Sequence, residues 1–134
     1  MDRKKLPRMD LTLLEILTSS NARNAFHHFL NREFSAENLL FHESVTLYQT
    51  TWETNTDENR RLNAEEIFKR FLNDDASEQV NISHIQRMNV KKLYVEKGPI
   101  FDVFDKPATE VLQMMSRDGF TRFKLTEAFK NLKL

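Results

Sequence analysis

Four histidines are the residues of this sequence best suited to bind a metal ion or to transfer a proton. They are His27, His28, His42 and His84. A zinc site built on one helix needs two histidines four residues apart with a glutamate between them, because that spacing puts both rings on one face. No pair here has that arrangement. The sequence therefore predicts surface or boundary histidines and no metal site.

Motifs for nucleophilic catalysis and for phosphate binding are also missing from the sequence. It contains no cysteine, which excludes disulfides, thiolate metal ligands and cysteine catalysis. It has no G-x-S-x-G turn to expose a serine nucleophile and no glycine-rich loop to hold a phosphate. We therefore expect a protein that is not an enzyme, with no catalytic residue and no cofactor of its own.

Polar residues at three joints between apolar stretches could instead contact a partner, since such side chains point away from a core. The joints carry Glu37 with Asn38, then Asn81, then Asp118 with Arg122. Each also has a plain structural interpretation. The first pair could furnish a first helical turn, Asn81 could cap a helix, and the last two could form a solvated i, i+4 ion pair. Judged singly, the residues favour those structural interpretations.

The elements that must position these residues are indicated by apolar side chains at helical spacing, i, i+3, i+4 and i+7. Such stripes predict about seven helices and no strand, which is an all-α protein. The stripes are Leu11, Leu14 and Leu17; Ala22, Ala25, Phe26, Phe29 and Leu30; Phe41, Val45, Tyr48 and Trp52; Ala64, Ile67, Phe68, Phe71 and Leu72; Ile82, Ile85 and Met88; Ala108, Val111, Leu112 and Met115; and Leu125, Ala128, Phe129 and Leu132.

Several helix boundaries follow from capping residues and polar stretches. Ser35 is the expected N-cap of the third helix. Residues 54–59 are polar and predict a loop, and Asn63 with Glu66 resembles a capping box that would start the next helix. Around residues 93–95 the helical phase is lost, so the helix beginning near Ile82 should be short.

Composition and charge fit one soluble domain. The chain has 134 residues, 40% of them hydrophobic, and 20 basic residues balance 20 acidic ones, so nothing predicts a nucleic-acid partner. No apolar run is long enough to span a membrane. Basic residues near the start could contact an anionic membrane weakly, although a solvated tail is the simpler expectation. These basic residues are Arg3, Lys4, Lys5 and Arg8. We expect a cytoplasmic protein, with the inner face of the plasma membrane as a second location.

Six blocks of sequence, in order, resemble the regulator of G-protein signalling (RGS) family. The most specific block is FSAENLLF at residues 34–41, which looks like the F-S-x-E-N-L-x-F signature of these domains. The other five carry residues similar to the helices and the short segment around that signature. They are Arg23, Phe26, Phe29 and Leu30; Ile67, Phe68, Phe71 and Leu72; Gln79, Val80, Asn81 and Ile82; Phe104, Asp105 and Ala108; and Met114, Met115, Asp118, Phe120, Arg122 and Phe123.

This resemblance implies both a fold and a function. The fold is an RGS-type helical bundle with a second lobe formed by the N- and C-terminal helices, in one domain at 1–134 with a core of roughly 11–132. The function is GTPase activation of heterotrimeric G-protein α subunits (Gα). The domain would bind the GTP-bound or transition-state form of Gα as a monomer and stabilise its switch regions in the transition-state conformation.

The resemblance also implies which residues contact Gα, in three loops. Asn81 would reach the entrance of the nucleotide site and touch the catalytic glutamine of Gα. Asp118 and Arg122 would form a linked pair that orders the third loop. The full set by loop is Ser35, Glu37 and Asn38; Asn81; and Met114, Asp118 and Arg122.

Some residues depart from the family pattern. His42 stands where tryptophan is usual, Gly119 where a small hydroxyl residue is frequent, and Met114 where leucine is usual, and residues 93–99 form a slightly longer stretch. We expect Gly119 to loosen the third loop. These departures leave the choice of Gα open. The alternative function is an RGS-homology scaffold without GTPase-activating activity, and an unrelated helical adaptor is a third possibility.

Overall fold

Eight α-helices and one π-helical turn form the regular secondary structure of residues 11–133, the part of the chain that this computed structural model describes. No strand occurs within those residues, and the predicted all-α class is confirmed. The helices are α1 Leu13–Leu17, α2 Ser20–Arg32, α3 Glu37–Thr50, α4 Asp57–Ile67, α5 His84–Lys97, α6 Asp105–Arg117, α7 Gly119–Phe123 and α8 Glu127–Lys130, with the π-helical turn at Phe68–Leu72.

The described residues divide into two compact units. The terminal unit comprises residues 11–36 and 114–133, and the central unit comprises residues 37–113. A unit built from the first and last helices is therefore present, as expected.

Side-chain caps fix the short helices of the terminal unit. The hydroxyl of Thr12 accepts a hydrogen bond from the N–H of Glu15 at 3.2 Å, and the Glu15 carboxylate accepts one from the N–H of Thr12 at 2.9 Å. This reciprocal pair satisfies two N–H groups that have no partner inside α1. Ser19 and Thr126 are the N-caps of α2 and α8, and the hydroxyl of each accepts a hydrogen bond from the N–H three residues later.

Phenylalanine rings form the core of the terminal unit. Phe26, Phe123 and Phe129 are completely buried, and the ring centroid of Phe123 lies 5.2 Å from that of Phe26 and 5.6 Å from that of Phe129. Gly119, the first residue of α7, is buried as well, and a Cβ atom there would lie 3.0 Å from the Leu30 side chain of α2. The glycine therefore allows α7 to pack closely on α2, where we had expected a loosened loop.

A second aromatic cluster fills the central unit. The ring centroid of Phe68 lies 4.9 Å from that of Tyr94 and 5.4 Å from that of Phe104, which is also 5.2 Å from Tyr48. The Tyr48 hydroxyl donates a hydrogen bond to the carbonyl of Ile100 at 2.8 Å, and burial raises the pKa of Tyr48 to about 12. The hydroxyl therefore stays protonated and ties α3 to the segment that precedes α6.

Two predicted stripes are confirmed by burial. In α2, Ala22, Phe26 and Leu30 face the core. The stripe from Ala64 to Leu72 is buried at each of its five apolar positions. Its second half lies in the π-helical turn, where the N–H of Asn73 donates to the carbonyl of Phe68, five residues earlier, at 2.8 Å.

Five apolar side chains that the stripes assigned to the core are exposed instead: Ala128 and four larger ones. Leu14, Ile85, Met88 and Leu125 are 54%, 71%, 56% and 69% exposed. In α5 the inward positions belong to Arg87 and Val90, which explains why the predicted stripe was wrong there.

Three helix boundaries also differ from the predictions. Helix α4 begins at Asp57, because Thr56 caps it, so the predicted loop at 54–59 and the capping box at Asn63 were wrong. Helix α5 continues to Lys97 and ends at Gly98, whose φ of 76° suits glycine. Helix α3 begins at Glu37, so Ser35 lies one residue too early to be its N-cap.

Candidate functional site

Asn81 lies in a four-residue segment, Val80–Ser83, that joins the polar stretch after the π-helical turn to α5; we call it the Asn81 segment. Its neighbours Val80 and Ile82 are buried, at 1% and 9% exposed, whereas Asn81 itself is exposed. The N-cap of α5 is Ser83, whose hydroxyl accepts a hydrogen bond from the N–H of Gln86 at 3.1 Å. The structural interpretation of Asn81 as a helix cap was therefore wrong.

Backbone hydrogen bonds hold the Asn81 segment on both sides of the asparagine. The N–H of Val80 donates to the carbonyl of Phe71 at 3.0 Å, and the carbonyl of Val80 accepts from the Arg87 guanidinium at 2.7 Å. On the other side, the N–H of Ser83 donates to the Glu110 carboxylate at 3.2 Å. Within residues 11–133 the Asn81 side chain itself makes no hydrogen bond, so its amide is presented to solvent from a fixed backbone.

Arg87 is the buried charge beneath this segment. It is 8% exposed, and its guanidinium donates to the carbonyls of Leu72 at 2.6 Å and Val80 at 2.7 Å. A buried guanidinium is tolerated when its N–H groups are paired, and here they join the end of the π-helical turn to the Asn81 segment. This role of Arg87 could not be predicted from the sequence, because helical periodicity is detected from apolar residues alone.

The polar joint between these two elements, residues 73–79, is closed at its base. The Arg70 side chain donates to the Glu78 carboxylate at 2.9 Å, and the N–H of Glu78 donates to the carbonyl of Arg70 at 2.8 Å. Together with the hydrogen bonds of Val80 and Arg87, these bonds hold the residues just before the joint to the residues at its end. The middle of the joint, at Asp74 and Asp75, is exposed.

The start of α3 carries Glu37 and Asn38, both in the first turn of the helix. Glu37 is half-buried and its carboxylate forms no ion pair within the described part of the chain. Asn38 is only 9% exposed, and its side-chain oxygen has no hydrogen-bond partner among residues 11–133. A buried amide oxygen without a donor costs about 1–3 kcal/mol of stability.

In the terminal unit, Phe34 and Ser35 follow the end of α2. Phe34 is 94% exposed and has a φ of 56°, a left-handed conformation that is rare and strained for an aromatic residue. The Ser35 hydroxyl donates to the carbonyl of Leu30 at 3.4 Å. Phe34 carries no contact role in the sequence resemblance, and its exposure makes it a further candidate for one.

Arg122 does not pair with Asp118, so the predicted link between those two residues is wrong. The Arg122 guanidinium donates bidentate hydrogen bonds to the Glu33 carboxylate, at 2.8 Å from Nη2 to Oε1 and 3.0 Å from Nε to Oε2. Asp118 is contacted by its neighbour Arg117 at 3.2 Å. Asp118 immediately precedes α7 and its carbonyl accepts a hydrogen bond from the N–H of Arg122 at 3.2 Å, so the two backbones have the helical i, i+4 relation, but the Arg122 guanidinium is directed to Glu33 instead.

The Glu33–Arg122 pair joins the residues after α2 to α7. The hydrogen bond that Arg122 donates to the Glu33 carboxylate raises the pKa of Arg122, which stays charged. The Arg122 side chain is 54% exposed, so its contribution to stability is small. Met114 is half-buried, and its carbonyl accepts a hydrogen bond from the N–H of Asp118 at 2.9 Å. The terminal unit thus brings Ser35, Asp118 and Arg122 onto connected elements.

A family model described as the regulator of G protein signaling domain matches residues 12–132 of this chain. The chain belongs to the RGS family. The resemblance of its six sequence blocks is thereby confirmed, and the helical fold agrees with it.

Curated relatives carry the same family name. The chain is 30% identical over 122 residues to "Regulator of G-protein signaling 1" of Equus caballus and 33% identical over 122 residues to that of Mus musculus, covering 90% of this chain in both comparisons. It is 28% identical over 126 residues to "Regulator of G-protein signaling 10" of Homo sapiens. The chain spans 59%, 55% and 66% of these relatives.

The histidines of this RGS domain do not assemble into a metal site in the described residues. Among residues 11–133 no group of three histidine, aspartate or glutamate side chains is arranged to hold a metal ion. His42, on α3, is half-buried, and this burial lowers its pKa while the adjacent Glu43 raises it by less.

Helices of this RGS domain are short or polar. In the portion that the structure describes, none has the length and apolar character needed to cross a membrane. The basic residues proposed for weak membrane contact, Arg3, Lys4, Lys5 and Arg8, lie outside the described residues.

Proposed function

We propose that this RGS domain is a GTPase-activating protein for Gα, which acts by binding the transition-state conformation of the Gα switch regions. The observation that carries the proposal is the exposed amide of Asn81, which makes no internal hydrogen bond and stands on a backbone held at both neighbours. An amide offers one acceptor and two donors, so it can orient the amide of the Gα catalytic glutamine.

An activator of this kind needs no catalytic residue. Gα already supplies an arginine that stabilises the charge of the transition state, so a partner need not donate one. What remains is to hold the water-positioning glutamine and the mobile switch regions in the reactive geometry. Interactions that form only with that geometry lower the barrier, whereas interactions formed equally with bound GTP do not.

Residues of the central unit would supply two of the contacts. Asn38, in the first turn of α3, would contact a Gα switch region through the small part of its side chain that reaches the surface. Glu37, half-buried and unpaired within 11–133, would add a charge-assisted contact.

Residues of the terminal unit would supply the remaining contacts. Asp118 is exposed, and its ion pair within residues 11–133 is with the exposed Arg117, so its carboxylate would still accept a switch N–H. Arg122, held by Glu33, supports the same loop, and Ser35 and Met114 complete the set proposed from the sequence. We add Phe34, because an exposed aromatic ring is the kind of side chain that anchors protein interfaces.

The proposal predicts selectivity among nucleotide states of Gα. The domain should bind Gα with GDP and a planar fluoride mimic of the transferred phosphate most tightly. It should bind Gα with a non-hydrolysed GTP analogue more weakly and Gα with GDP least, because the contacts fit the transition-state conformation. Calorimetric titration against a panel of Gα subunits measures this order.

The same panel separates activation from scaffolding. Single-turnover GTP hydrolysis should accelerate for at least one Gα in the panel, and that Gα should show the expected order of affinities. Equal affinity for all three nucleotide states, with no acceleration, would contradict the proposal and favour an RGS-homology scaffold.

A further inference from the structure

Among the described residues, Glu110 is the one side chain that forms a hydrogen bond with the backbone of Ile82 or Ser83, the two residues that follow Asn81 in the Asn81 segment. Its Oε1 accepts the hydrogen bond from the N–H of Ser83 at 3.2 Å, across 27 residues of sequence. Ser83 is the N-cap residue of α5, so its N–H lies at the start of a helix of 14 residues. A carboxylate at a helix N-terminus is favoured by the partial positive charge of the free N–H groups there.

The second oxygen of Glu110 indicates that the carboxylate is not there for stability alone. Oε2 is buried and has no hydrogen-bond partner in the part of the chain that the structure describes. A buried carboxylate oxygen without a partner lowers stability, and replacing such a group with an apolar one is often neutral or stabilising. Glu110 lowers stability in this way and still accepts the hydrogen bond from Ser83 in the Asn81 segment. A role of this segment in binding Gα would explain both observations.

We propose that Glu110 is a positioning residue for Asn81: its carboxylate fixes the start of α5 and thereby aims the Asn81 amide at the Gα switch regions. This rests on the proposed function. Arg87 holds the segment from the N-terminal side through the carbonyl of Val80, and Glu110 holds it from the C-terminal side through the N–H of Ser83. With both ends of the segment fixed, the exposed amide between them loses little freedom when Gα binds.

The alternative is that Glu110 only stabilises α5. The two roles differ in three measurable ways. A positioning residue changes the maximal rate of stimulated hydrolysis more than the concentration of half-maximal effect. Its effect disappears when Asn81 is already absent, since two residues that act through one contact are not additive. A purely stabilising residue lowers the unfolding midpoint and acts independently of Asn81.

The test compares Glu110→Ala, Glu110→Gln and the matched control Gln113→Ala, an exposed residue one turn along α6. We expect Glu110→Ala to lower the maximal stimulated rate about tenfold, equivalent to about 1.4 kcal/mol, with an unchanged or higher urea midpoint. Glu110→Gln keeps an oxygen that can accept the Ser83 N–H, so it should restore the rate to within about threefold of the original. Gln113→Ala should change neither quantity.

Two further measurements complete the design. Amide hydrogen exchange should accelerate at Ser83 in Glu110→Ala and not in Gln113→Ala, because the N–H has lost its acceptor. In an Asn81→Ala background, Glu110→Ala should cause no further loss of rate. An undiminished rate for Glu110→Ala would overturn the proposal, and so would a loss that adds in full to that of Asn81→Ala. Absence of stimulation by the unsubstituted domain, across the Gα panel, would instead overturn the proposed function itself.

Discussion

Asn81→Ser is the substitution that tests the proposed function most directly. It removes the amide and keeps a small polar side chain at an exposed position. Because the Asn81 side chain makes no hydrogen bond within residues 11–133 and the N-cap of α5 is Ser83, the substitution removes no hydrogen bond from the described fold. We therefore expect the melting temperature of Asn81→Ser to match that of the original protein.

The expected loss of activity follows from the contact that the amide would make. Removing one partner of a hydrogen bond in a desolvated interface costs roughly 1–3 kcal/mol. Since about 1.4 kcal/mol corresponds to a tenfold change in rate, stimulated hydrolysis should fall about five- to 150-fold. If the substitution also leaves the switch regions of Gα less ordered, the loss of stimulated hydrolysis should lie toward the upper end of that range.

Single-turnover hydrolysis of GTP bound to Gα, with increasing amounts of RGS domain, measures this effect. Thr56→Ala is the matched control for general destabilisation. It removes the N-cap of α4, in the same central unit, where the Thr56 hydroxyl accepts from the N–H of Asn59 at 3.1 Å. Loss of a cap costs about 1 kcal/mol of folding stability, so Thr56→Ala should melt earlier and still stimulate hydrolysis fully.

A well-folded Asn81→Ser protein that stimulates at the original rate would refute the reasoning, because the amide would then have no part in activation. A loss of stimulation matched by a fall in melting temperature as large as that of Thr56→Ala would also refute it. The function of Asn81 would in that case be structural.

Two further outcomes are expected. Arg122→Ala should reduce stimulation of GTP hydrolysis while barely changing the urea midpoint, because the Arg122 side chain that pairs with Glu33 is 54% exposed. A large fall of the midpoint would show that the fold requires the pair. Lowering the pH below 6.5, the ordinary pKa of histidine, should destabilise the protein through His42. Burial lowers the pKa of His42 in the folded state, so the unfolded chain binds a proton at His42 first as the pH falls. The free energy of unfolding therefore decreases between pH 6.5 and the lower folded-state pKa. Urea midpoints at pH 7.5 and pH 5.5 should therefore differ less in His42→Gln than in the original protein, and an equal difference would contradict this role.

Helices with strong apolar periodicity could be predicted from the sequence, because burial of one face determines where they pack. The stripes of α2 and of Ala64–Leu72 are examples. Helix α4 could not be delimited in the same way. Its first two turns are polar, and its start depends on one hydroxyl, that of Thr56, and on acidic residues at the N-terminus.

Helix α5 was misjudged because a charged residue occupies an inward position. Arg87 is buried through two hydrogen bonds to carbonyls that are 15 and seven residues away. Such long-range partners leave no periodic trace in the sequence, so the exposed Ile85 and Met88 were taken for the buried face. Periodicity alone cannot reveal a buried guanidinium whose partners are backbone atoms.

In the candidate site, too, some features could be predicted from the sequence and others could not. The contact residues were named from the resemblance, and for Gα they remain proposals. Their local partners could not be predicted, since Glu33 and Arg122 are 89 residues apart and Glu110 and Ser83 are 27 apart. The helical i, i+4 rule pointed to Asp118 as the partner of Arg122, and the backbone N–H of Arg122 does donate to the carbonyl of Asp118, but such a rule considers neighbours in one helix and cannot reveal a distant partner such as Glu33.

The closed base of the joint at 73–79 makes that loop a place to attach a reporter. Extra residues in a surface loop add little entropic cost once both ends are fixed, because that cost grows only slowly with loop length. Here the ends are fixed by the Arg70–Glu78 contacts and by Arg87, and Asp75 in the middle is exposed. A tag or a fluorophore inserted after Asp75 would lie six residues from Asn81 along the chain, close enough to sense Gα without replacing a contact residue.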